Sequence, residues 1–256
     1  MKRIIYVILT LICAFALVFS GYQLYREYSE QQESIELYAD LAELIVTPDQ
    51  ETEVTDSSEF GETEAEYTGP VIDFAGLKEI NDDCVAWIYI EDTVINYPIV
   101  QGLDNTYYLK HLIDGKWNSS GSIFLDSRVS GDMSDRHSII YGHHMKNGTM
   151  FSELTKYKKQ DYFDAHPTGY LITPERIYQI EFFAGYVANV KSASWELSFA
   201  SDEDYEKWIQ EAKKQSWFTS DVNPAVTDQV LTLSTCSYEF DNARYVLHGV
   251  MREIVQ

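Results

Sequence analysis

Three residues with complementary chemistry, Cys236, Arg244 and His143, each lie at the end of a strand-like stretch. From Val230 to Leu233 apolar and small polar residues alternate, a strand pattern that delivers Cys236 just past Ser234 and Thr235. A turn-rich run, Ser237 to Ala243, is followed by a second strand-like stretch, Arg244 to Val250. If these strands pair as a hairpin, Arg244 becomes a near neighbour of Cys236. A guanidinium beside a thiol favours the thiolate, and the same fork can hydrogen-bond an oxyanion. Such a pair still needs a general acid or base. Ser138-Ile139-Ile140-Tyr141-Gly142-His143-His144 offers one, again as a strand that ends in glycine and then histidine.

These features occur in a definite order: Gly142-His143, then Thr232-Leu233-Ser234-Thr235-Cys236, then Arg244. Together they resemble the sortases, the membrane-anchored cysteine transpeptidases of Gram-positive bacteria. Trp87-Ile88-Tyr89-Ile90, Ile95-Asn96-Tyr97-Pro98-Ile99-Val100-Gln101, Asp104-Asn105-Thr106-Tyr107-Tyr108-Leu109 and Gly121-Ser122-Ile123-Phe124-Leu125-Asp126 are similar to the opening of class B sortases in particular. The resemblance runs from Ile72 to Arg252. It implies a mainly β fold, a sortase-type β-barrel with several peripheral helices. It also implies Cys236 as nucleophile, His143 as proton donor to the leaving amine and Arg244 as oxyanion donor. The substrate would be the C-terminal sorting signal of a secreted surface protein, cut after a Thr. The acyl fragment would pass through a Cys thioester to a peptidoglycan amine, on a precursor or a stem peptide. Two motif classes, NPxT-type and PxTG-type, remain open. So do a pilin lysine as acceptor and a cysteine peptidase that only hydrolyses. A non-catalytic binding module would not need an intact Cys/His/Arg set.

His143 competes with His144, because neighbouring strand residues point to opposite faces and only one can meet the thiol. The Gly-His register of the family selects His143. Ser234 shares the face of Cys236, and with Thr235 it is expected to contribute to substrate binding. His248 shares a face with Arg244 but lies four residues along the strand, some 13 Å away at about 3.3 Å per residue. His111, His137 and His166 have no supporting context. Neither a CxxC nor an HExxH pattern occurs, and no acidic cluster suits calcium, so no metal and no cofactor are expected. Cys13, Cys84 and Cys236 are too few for a disulfide framework. Cys84 reads as a free core cysteine, with a Cys84–Cys236 pair as the alternative.

The elements that must carry these groups divide the 256-residue chain into four parts. Residues 1–22 hold Lys2 and Arg3 and then an apolar run from Ile4 to Phe19, a transmembrane anchor with a cytoplasmic tip. This places the protein in the cell membrane, single-pass, with its catalytic part outside; a cleaved signal peptide is the competing reading. Residues 23–46 keep helical spacing, either as a stalk or as a helix folded back on the catalytic part. Residues 47–69 lose periodicity and carry eight acidic residues between Asp49 and Glu66, an expected flexible linker. Residues 70–256 form the catalytic domain. In it, helices are expected at 72–81, 149–159 and 201–215 and strands at 85–90, 94–100, 170–173 and 177–189. Hydrophobic and aromatic contents of 45% and 14% suffice for a core. The net charge of −22 argues against nucleic acid as a partner.

Overall fold

The computed structural model describes residues 2–41, 44–46, 67 and 69–254. Most of the expected acidic linker, residues 47–66, lies outside the described residues. The chain opens with α1 (Lys2–Leu41), followed by the short antiparallel pair β1 (Ile45–Val46) and β2 (Val71–Ile72). Next come α2 (Phe74–Ile80), β3 (Cys84–Tyr89), β4 (Asn96–Val100), β5 (Ile123–Leu125) and β6 (His137–Tyr141). After β6 lie a 3-10 stretch at Ser152–Lys158, α3 (Gln160–Ala165), β7 (Thr168–Ile172) and β8 (Ile177–Asn189). The last elements are α4 (Asp202–Gln215), β9 (Gln229–Cys236) and β10 (Ala243–Ile254).

Eight strands close into a barrel in the order β10-β8-β7-β3-β4-β5-β6-β9, so the expected mainly β barrel with peripheral helices is the observed fold. Alternation sorts the side chains. Ile140, Leu231, Leu233, Tyr245 and Leu247 point into the barrel, whereas Val230, Val246 and Val250 point outward against Tyr205, Trp208 and Ile209 of α4. The sequence of α4 begins as expected: the Ser201 hydroxyl accepts from the Asp204 amide at 3.1 Å, and Asp202, Glu203 and Asp204 fill the first turn. One expected helix differs. The stretch near residues 149–159 is a 3-10 helix, because its fully buried residues Phe151, Leu154 and Tyr157 recur every third position, the period of that helix.

The first half of α1 is long and apolar enough to cross a membrane, and none of its apolar window is buried. The helix then continues without a break onto the barrel. Ser34 and Leu41 are buried, the Tyr38 hydroxyl donates to the Gly121 carbonyl at 3.3 Å, and the Asn118 amide donates to the Glu30 carbonyl at 2.7 Å. Leu41 joins Ile72, Leu77, Trp87 and Val100 in a cluster outside the barrel wall.

Candidate active site

Two strand pairings build the site. β9 and β10 are antiparallel, and Arg244 stands directly across from Cys236, as the hairpin reading expects. β6 runs parallel to β9 on its other side, with Ile139 opposite Thr232 and Tyr141 opposite Ser234. The register holds past the end of β6: the Gly142 amide donates to the Ser234 carbonyl at 3.1 Å. By the strand period of two, Tyr141 and then His143 share the outward face of Ser234 and Cys236. Cys236, Arg244 and the start of the His143 turn therefore meet at one end of the barrel.

Gly142 makes this approach possible. A Cβ there would lie 2.5 Å from Ile123 Cδ1 and 2.7 Å from the Phe151 ring. On the far side of the turn, the Phe151 amide donates to the His143 carbonyl at 3.0 Å. The His143 Nε2–H donates to the Leu109 carbonyl at 2.8 Å, so the imidazole rests on the segment before β5. His144 goes the other way, edge-on to Tyr238 at 5.5 Å between ring centroids. Burial pushes its imidazole below the ordinary value, and the neighbouring Cys236 backbone opposes that shift. Its Nδ1 is buried without a partner.

Ser234 and Arg244 line a groove of about 410 Å³ together with Asn105, Leu109, Phe124, Arg128, Tyr141, Val190 and Trp195. Ser234 lines this groove on the face that the period of two assigns it. Thr235, expected beside it in substrate binding, is buried on the opposite face of β9, and its hydroxyl donates to the Gly142 carbonyl at 2.8 Å. The same period of two that exposes Ser234 to the groove turns Thr235 away, so Thr235 clamps the histidine turn instead of lining the groove. Asp126 supports the groove from below. Burial opposes its ionisation, but hydrogen bonds from Arg128, Asn105 and Tyr141 outweigh that cost and hold the carboxyl down at about 2. Arg128 meets it with both Nε and Nη2, at 2.9 and 2.7 Å, and the Tyr141 hydroxyl donates at 2.8 Å. Among the groove residues, Tyr141 was legible as the residue two before His143 on one strand face. Val190, Trp195 and Arg128 arrive from distant segments and carry no local signal.

The loop after Cys236 is tied down by Lys158, which bonds Glu239. Burial opposes ionisation of Glu239, but Lys158 and Ser237 outweigh it and hold the carboxyl at about 2. Cys84 is free and buried at the start of β3, at the other end of the barrel, and burial pushes its thiol up to about 12. It is a core cysteine unsuited to thiolate chemistry.

The Sortase domain family model matches residues 88–252. The chain belongs to the sortase family. Sortase B of Listeria monocytogenes is 35% identical over 244 residues, 94% of each chain. The solved Staphylococcus aureus sortase B–substrate complex shares 33% identity at a TM-score of 0.68, covering 71% of this chain and 85% of that one. The Clostridium perfringens sortase B structure shares 36% identity at a TM-score of 0.67, covering 70% of this chain and all of that one (100%). The family and these relatives make the chain a sortase B-type cysteine transpeptidase, an enzyme of cell-wall anchoring.

Proposed function

We propose that this sortase cleaves a C-terminal sorting signal after a Thr and transfers the acyl fragment through a Cys236 thioester to a peptidoglycan amine. The observation that carries this reading is the directly opposed pair Cys236 and Arg244, with Arg244 lining a groove that Ser234 and Tyr141, two residues before Cys236 and His143, also line. The Cys236 thiolate attacks the scissile carbonyl carbon, and the Arg244 fork donates to the oxygen as negative charge develops there. His143 gives a proton to the leaving nitrogen as the C–N bond breaks, because an amide does not expel a free amide anion. The thioester remains on Cys236. An incoming amine then attacks it, its proton returns to His143 and the thiolate departs. Ser234 and the remaining groove residues hold the peptide in register.

α1 supports a tether in the membrane: Lys2 and Arg3 precede the apolar run, which favours a cytoplasmic N-terminus and an extracellular barrel. The sorting-signal peptide and the peptidoglycan amine are then both reached on the outer side.

The test incubates the protein with NPxT-type and PxTG-type peptides, with and without an amine, and reads products by mass spectrometry. The expected result is cleavage after Thr, a Cys236 acyl-enzyme without amine and a new amide with it. Cys236→Ala is expected to form neither. Cleavage by Cys236→Ala, or hydrolysis with no amide formed at any amine concentration, would overturn the proposal.

A further inference from the structure

Below the groove and beneath α4 lies a fully buried row of polar side chains that the reaction does not use. It crosses the outward faces of four adjacent strands: Tyr186 on β8, His248 on β10, Thr232 on β9 and His137 on β6. Tyr186 Oη lies 3.2 Å from His248 Nε2, and His248 Nδ1 lies 2.7 Å from Thr232 Oγ1. Thr232 Oγ1 is in turn 2.6 Å from His137 Nε2. At one end Tyr186 meets the Ser194 hydroxyl at 3.0 Å, and Ser194 meets Ser192 at 2.9 Å. At the other end His137 Nδ1 lies 2.6 Å from the Glu196 carbonyl.

The direction of every hydrogen bond follows from that last contact. A carbonyl only accepts, so His137 Nδ1 carries the proton and its Nε2, in the neutral ring, accepts. Thr232 must then donate to His137 and accept from His248 Nδ1–H. His248 Nε2 therefore accepts from Tyr186, which leaves Tyr186 to accept from Ser194. The row is one directed chain, and both of its ends lie in the segment Ser192–Glu196. Burial keeps both imidazoles neutral, as this direction requires: His137 is lowered to about 4 and His248 well below its ordinary value. Trp208 of α4 adds a further tie, donating to the Ala193 carbonyl at 2.8 Å.

That segment is a single 3-10 turn, and it carries Trp195 into the wall of the groove that Ser234 and Arg244 also line. We propose that the Ser194–Tyr186–His248–Thr232–His137–Glu196 chain positions this wall, so that residues touching no substrate set how tightly the acyl-donor peptide is held. The proposal rests on the reading of the groove as the peptide site. Thr232 is its keystone, because a single hydroxyl joins the two halves of the chain by donating and accepting at once. In Thr232→Val the shape stays while both roles vanish, and two buried imidazole nitrogens lose their partners together. Thr232→Ser keeps the hydroxyl and serves as the rescue.

Two measurements test this. The first is the Kd of the sorting peptide that wild type cleaves, measured in a Cys236→Ala background. Thr232→Val is expected to weaken it about tenfold, about 1.4 kcal/mol, with Thr232→Ser close to the parent. The second is amide hydrogen exchange, expected to quicken over residues 192–196 in Thr232→Val while β9 and β10 stay protected. Unchanged Kd and unchanged exchange in a folded Thr232→Val protein would overturn the proposal, as would equal loosening of the whole barrel. If Thr232→Val does not fold, Tyr186→Phe breaks the same chain at its other half and is judged by the same two readings. If wild type cleaves no sorting peptide, the functional reading fails on its own, and the exchange measurement still decides whether the chain holds the segment.

Discussion

His143 and His144 are adjacent in sequence and opposed in setting. By the period of two, His143 continues the face of Tyr141 and Ser234, and its Nε2–H rests on the Leu109 carbonyl; His144 is packed against Tyr238 and the Cys236 backbone. His143→Ala is therefore expected to lower kcat by about 10²–10⁴, the usual contribution of a positioned general acid. His144→Ala is expected to retain most of the turnover. Equal losses in two folded variants would remove the basis for choosing His143. His137 and His248 have the reverse character, buried and neutral. The unfolded chain binds protons that these two refuse, so stability falls as pH drops from about 6.5 toward 4. For His137, lowered from 6.5 to about 4, the loss reaches about 2 kcal/mol by pH 5, and His248 acts in the same direction. Asp126 and Glu239, both held at about 2, lose their contribution only as the pH falls through the ordinary carboxylate range and below it, which leaves pH 5–6.5 to the histidines. Urea unfolding at pH 7, 6 and 5 reads this directly. A midpoint that does not move over that range would show that the histidines are already protonated or solvated in the native state.

At the scale of elements, the site depends on how closely the β6 turn is pressed onto β9. Gly142→Ala would drive a Cβ into Ile123 and the fully buried Phe151 ring, whose own amide holds the His143 carbonyl. Overpacking of this kind costs about 1–3 kcal/mol, and relief requires the turn to move away from Cys236. The expected outcome is a folded variant with a lower Tm and a fall in kcat larger than any rise in KM; an unchanged kcat would show that the turn tolerates the displacement. The hairpin that sets Arg244 across from Cys236 was legible, because both strands alternate and the turn between them is short and polar. The β6–β9 contact was not, since it joins parallel strands almost a hundred residues apart with no local mark. Thr235, expected with Ser234 in substrate binding, is turned to the opposite face by the period of two and bonds the Gly142 carbonyl. The helix expected over 149–159 is of the 3-10 kind, in keeping with the three-residue spacing of Phe151, Leu154 and Tyr157.

For the whole molecule the open question in the sequence was whether residues 23–46 form a free stalk or pack on the catalytic part. In the structure α1 runs from its apolar half straight onto the barrel, burying Ser34 and Leu41 and half-burying Leu37 and Tyr38. The contact reaches toward the site. Tyr38 bonds Gly121 and the Ser122 hydroxyl, the Ser122 amide donates to Tyr108, and the next residue, Leu109, accepts from His143. All proposed catalytic groups lie beyond residue 69, so a chain beginning at Gly69 is expected to fold and to form the thioester. It should nevertheless be weaker than a chain beginning at Gln23. Fully burying Leu41 contributes about 1.5–3 kcal/mol and the half-buried Leu37 and Tyr38 add to it. At about 2–4 °C per kcal/mol for a domain of this size, the shorter chain should melt roughly 10 °C lower. It would also expose the apolar side of Ile72, Leu77 and Trp87, a patch that promotes association. Calorimetry and light scattering on the two chains, alongside turnover on one peptide, make the comparison. Equal Tm values would mean that α1 adds nothing to the stability of the barrel. A lower Tm with reduced turnover would mean that α1 is part of the frame that holds His143.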